Sequence, residues 1–175
     1  MANKPIQNVA AEKSLQFELP YRNLKGVWKW TFEIIAVGFA LFYIYGAGFG
    51  TAGEQYHAGL YLLLTFVLIG MLYRFRPNSP HSRPSVLDLI LTVLSVFAIG
   101  YWIVEYNTLA TRTGAYSNLD VFVGTLALIL SLEYSRRTVG WALTIIAVVG
   151  ILYALFGRSM PSIIAHRGFT LRRII

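Results

Sequence analysis

The chain has 175 residues, of which 56% are apolar, 15% aromatic and 13% charged, with a formal net charge of +7. A soluble domain carries about 25% charged residues, so this composition argues for lipid as the solvent and excludes disorder and collagen-like or coiled-coil fibres. With no cysteine, disulfide scaffolds, thiolate zinc sites, iron–sulfur clusters and cysteine nucleophiles are excluded as well.

Residues 1–27 read as a cytoplasmic arm, partly amphipathic. They hold no apolar run of the kind a secretory signal needs, and they carry Lys13, Arg22 and Lys25. Leu24, Val27 and Trp28 are spaced i, i+3, i+4, while Lys25, Lys29 and Glu33 form a stripe on another face. That pattern predicts an interfacial helix; the plainer alternative is a solvated tail.

A crossing helix needs about 20 apolar residues, because a core of about 30 Å is climbed at about 1.5 Å per residue. Within a transmembrane domain at 28–157, five segments qualify or nearly so: 28–49, 57–73, 86–106, 120–134 and 138–156. The fourth is too short to cross an unthinned bilayer upright. The expected fold is therefore an all-α integral membrane bundle of four to five transmembrane helices, with residues 158–175 as a basic C-terminal tail or linker. Breakers fall where they should: the glycine-rich run 46–54 ends the first segment, and Arg74 to Pro77 ends the second. Ser85 and Asp88 read as a capping box opening the third helix, and Asn118 or Asp120 plays that part for the fourth. Trp28, Trp30, Tyr73, Tyr101, Trp102, Tyr106, Tyr134 and Trp141 lie near segment ends, as interface anchors do.

Lys and Arg set the orientation. Lys4, Lys13, Arg22, Lys25 and Lys29 precede the first span and Arg74, Arg76 and Arg83 follow the second, against Arg112 alone on the other side. The N-terminus is thus expected on the cytoplasmic side of the membrane. The last third is open. If segments four and five both cross, Arg136 and Arg137 fall inside and the tail outside, a tally of ten to five; if segment four is a half-span, the tally is twelve to three.

Few motifs carry chemistry. Gly48, Gly50 and Gly53 match G-x-G-x-x-G, but an apolar helix precedes them and no βαβ unit is in sight, so they read as a turn, with Gly46 and Gly50 as a helix-packing notch. His57, His81 and His166 sit in separate flanking regions with no second ligand at i+3 or i+4, which speaks against metal or haem. Charge inside a span is the usual marker of an ion or substrate path. Glu33, Asp88, Glu105 and Asp120 all lie near span ends, leaving the span interiors bare. No catalytic, cofactor or metal-binding residue is assigned, and the chain is expected to be a non-catalytic scaffold or partner subunit. Glu133 lies at i+3 and i+4 from Arg136 and Arg137, acid first. This cluster reads either as a solvated hairpin or as an ion-pair network holding two segments together or docking a partner; Trp141, Asp120 and Arg112 join it as structural candidates.

The stretch Leu132-Glu133-Tyr134-Ser135-Arg136-Arg137-Thr138-Val139-Gly140-Trp141 resembles a signature of TRAP transporter permeases of the TAXI type. The likeness continues through 153–157, Met160-Pro161 and 166–169, and upstream through His57, Leu60 and the spacing of 112–114 to Asp120. It implies a small membrane component, separate or at the front of a fusion. In that family such a component works with a large twelve-helix transport subunit and a periplasmic substrate-binding protein, taking up an organic acid or amino acid. It implies no cofactor on this chain; the coupling ion, Na+ or H+, and the substrate would be handled by the large subunit. The alternatives are the small subunit of a tripartite tricarboxylate-type transporter and a non-transport membrane anchor. Membrane lipids are expected partners, whereas nucleic acid is not, because the basic residues are dispersed over span-flanking loops.

Overall fold

The computed structural model describes residues 21–50, 53–76, 78–157 and 167–174. Among the described residues six helices follow one another: α1 (Val27–Phe49), α2 (Glu54–Leu72), α3 (Val86–Thr111), α4 (Asn118–Thr138), α5 (Trp141–Phe156) and the short α6 (Leu171–Ile174). α1 to α4 are long and apolar enough to cross a membrane. The chain is thus an all-α multi-pass bundle whose consecutive helices run antiparallel.

The helix starts follow local chemistry. In α3 the Ser85 hydroxyl accepts from the Asp88 amide while the Asp88 carboxylate accepts from the Ser85 amide, and Ser117 and Asp120 repeat the box at α4. Between α4 and α5 stand only Val139 and Gly140; Gly140 has φ 95°, a value side chains resist, and this tight turn sends α5 back beside α4.

α2 and α3 form the most extensive pair, and glycines allow their approach. A Cβ on Gly59 would stand 2.5 Å from Ile103 Cγ1, and one on Gly70 would stand 2.2 Å from Thr92 Oγ1. Small residues at such crossings bring helix backbones together without a hydrophobic drive. Phe66, Ile99, Leu130 and Tyr134 form the core among α2, α3 and α4, with the Tyr134 and Ser95 hydroxyls hydrogen-bonded at 3.0 Å. α1 stands apart, touching α2 through Tyr43, whose hydroxyl donates to the His57 carbonyl at 2.6 Å, and through Gly46 under the His57 ring. Its outer face carries Trp30, Ile34, Val37, Leu41 and Ile44, each 58–68% exposed.

Two readings change, and one left open is resolved. α4 has 21 residues, not the short apolar stretch 120–134, because the capping box starts it at Asn118 and the Glu133 pairs keep its last turn helical. At about 1.5 Å per residue it is about 31 Å long. Phe169 N donates to the Ala154 carbonyl (2.8 Å) and Arg172 Nη2 to Asn118 Oδ1 (2.7 Å), so residues 167–174 lie at the end of the bundle opposite Arg136 and Arg137. That is the arrangement in which segments four and five both run the length of the bundle. Finally, residues 21–26 are not helical. Gly26 has φ 59°, α1 begins at Val27, and Leu24 is buried while Val27 is 78% exposed, so these residues do not share a helical face. The rest of the arm, 1–20, lies outside the described residues.

Candidate functional site

Three helix termini meet at the end of the bundle that carries Arg74, Arg76 and Arg83: the C-termini of α2 and α4 and the N-terminus of α3. Helix C-termini leave carbonyls unsatisfied and attract cations. Arg22 fills that need at α2. Its amide donates to the Leu72 carbonyl at 2.8 Å, and its Nη1 reaches the carbonyls of Gly70, Met71 and Tyr73 at 3.1–3.4 Å. Nε donates to the Pro80 carbonyl at 3.1 Å, tying the loop to the same guanidinium. An isolated bridge between Tyr21 and Tyr73 holds the strand-like entry in place.

At the N-terminus of α3, Asp88 does more than cap. Besides Ser85, its carboxylate accepts from the Phe75 amide (3.2 Å), from Arg22 Nη2 and from Arg137 Nη1 (2.9 Å). Glu133 accepts from Arg136 (2.7 and 2.9 Å) and from Arg137 Nε (2.8 Å), while Arg136 Nη2 also donates to the Phe75 carbonyl. Aromatic faces line the guanidinium groups. Arg136 lies 5.3 Å from the Trp141 ring centre and Arg137 lies 5.1 Å from that of Phe75, within cation–π range.

The side chains of Arg22, Asp88 and Arg137 are 0% exposed. Burial pulls the Arg22 guanidinium below its ordinary value, and the Asp88 carboxylate opposes that pull; arginine nonetheless stays protonated in proteins. Three guanidiniums face two carboxylates, a surplus of one positive charge, and Arg137 Nη2 is buried without a hydrogen-bond partner. Such a network is a poor source of raw stability but costly to break, since removing one member strands the others.

Sequence spacing found Glu133, Arg136, Arg137 and Trp141, and these come together. Asp120 and Arg112 do not join them. They lie at the opposite end, where Tyr101 donates to Asp120 and Arg112 stands 3.7 Å from Glu105 and 3.9 Å from Asp120. The reading missed the centre of the network. Asp88 was legible only as a cap, and Arg22 only as one charge of the arm; the local clue was an arginine two residues after Pro20 and two before Leu24. No group of three His, Asp or Glu suited to a metal occurs among the described residues.

Fold and site together define a multi-pass membrane protein clasped at one end by buried ion pairs. Comparison with protein-family models, curated proteins and solved structures finds no match.

Proposed function

We propose that the chain is the small membrane subunit of a TRAP-type secondary active transporter. In this reading it scaffolds the large transport subunit and helps to dock the periplasmic binding protein for ion-driven uptake of an organic acid or amino acid. The basic end faces the cytoplasm, following the distribution of Lys and Arg. One observation carries the reading: every Asp, Glu, Lys, Arg and His on the five long helices lies within two turns of a helix end. A chain that moved a charged solute by itself would need such a group at mid-depth. The stretch that carries the resemblance, 132–141, also lies on the clasp, an architectural place. The bare apolar faces of α1 and α5 offer lateral surface to a larger partner.

Co-expression with the large apolar protein encoded by a neighbouring or continuing reading frame is the test. A stable one-to-one complex is expected. Charge reversal at Arg136 weakens it, and reversal at Glu133 in the same chain partly restores it. A genomic context with no such frame, or a candidate subunit that never co-purifies, refutes the proposal.

A further inference from the structure

A groove of about 460 Å³ runs between α3 and α4, with the edge of α2 as its third wall. Small side chains open it: Ala58 on α2, Ala98 on α3, and Gly124 and Ala127 on α4. Along α4 it extends from Asp120 to Ser131, about 16 Å at about 1.5 Å per residue. Between those two positions α4 lines it with Val121, Val123, Gly124, Ala127 and Leu128, so a hydrocarbon chain laid along the groove meets apolar side chains.

The two ends differ in chemistry. Toward Ser131 the walls are apolar, so water gains no hydrogen bonds there and an empty channel forfeits dispersion contacts. At the other end stand Tyr101, Tyr116, Asp120 and Arg172. Asp120 is already occupied: the Tyr101 hydroxyl and the Ser117 amide donate to it, with Arg112 3.9 Å away. Arg172 gives Nη2 to Asn118 and is otherwise exposed. Arg112, Arg172 and Arg173 outnumber Glu105 and Asp120 around this rim, so the mouth favours an anion.

We propose that this groove is a phospholipid site. One acyl chain lies along α4 from Asp120 toward Ser131, and the phosphate rests on Arg172 and the Tyr116 hydroxyl. The occupant is an amphiphile because the site is one: a cationic, hydrogen-bonding mouth over an apolar groove. The inference is independent of the transporter reading, since it concerns only this chain and the bilayer.

Native mass spectrometry of the full chain, released from mild detergent, tests it. One phospholipid per chain is expected to survive conditions that strip the remaining lipid, and added inorganic phosphate does not displace it. Ala127→Phe, which fills the channel, lowers occupancy about tenfold. Ile146→Phe on the exposed face of α5 leaves it unchanged. Tyr116→Phe with Arg172→Ala alters only the rim and provides a second reading should Ala127→Phe disturb folding; it too lowers occupancy. Full retention in both groove variants overturns the site. So does equal loss in the α5 control, which would mark ordinary surrounding lipid.

Discussion

Asp88→Asn removes one charge from the clasp and almost no volume. In the native chain Asp88 answers two guanidiniums, and all three side chains are 0% exposed, so neither water nor salt can take over its role. Three arginines against two acids become three against Glu133 alone. Glu133 touches Arg136 and Arg137 but has no contact with Arg22. Arg22 is left with backbone carbonyls only, and the amide nitrogen of Asn turns a donor toward it or toward Arg137. Removing one partner of a buried pair costs about 3–5 kcal/mol, against roughly 0.3–0.5 for an exposed i, i+4 pair such as Lys29 with Glu33. Reversible unfolding in mixed micelles should show a loss in the larger range. Because a dry pair is poorly screened, the loss should hold between low and high salt. A change below about 1 kcal/mol, or one that vanishes with salt, would refute the buried clasp.

Three further outcomes follow from the packing and the loop. Gly70→Ala forces a methyl onto Thr92 Oγ1 and should cost about 1–3 kcal/mol of micellar unfolding free energy, with Thr92→Ala recovering part; no loss would contradict the close α2–α3 approach. Tyr134→Phe breaks the link to Ser95 and should cost about 1 kcal/mol in the same assay. Burial first, then Arg74 and Arg22, hold the His81 imidazole below its ordinary 6.5. As pH falls, unfolded His81 therefore takes its proton before folded His81 does. Its contribution to stability is complete above about pH 6.5 and declines as pH drops through the folded value. Unfolding free energies from about pH 7.5 to about pH 5 should show that decline, and His81→Gln should flatten it; equal slopes would remove His81 from the account.

Local chemistry was legible before any coordinates. The box at Ser85 and Asp88 depends on residues three apart, and the Glu133–Arg136–Arg137 spacing on three and four; at α4 the cap is Ser117, one residue ahead of the expected Asn118, with Asp120 completing its box. Hydropathy located the helices but shortened α4, because it scores the polar last turn as an end although the pairs there hold it helical. Periodicity misread residues 24–28, since it does not register that Gly26 turns the chain. Most of all, it could not join Arg22, Asp88 and Arg137, whose proximity depends on how four separate pieces of chain pack.

That separation sets an order of assembly. Arg22 and Asp88 are 66 residues apart, and Asp88 and Arg137 a further 49. At synthesis rates of about 5–20 residues per second, Asp88 waits several seconds at the membrane boundary before its second arginine has been made. Until then α2 and α3 pack on each other and Asp88 holds Arg22 alone, so only the first half of the clasp is made. The bundle can therefore report on its own completion. A chain that stalls within α4 presents a half-made clasp at one end, and a finished chain closes it.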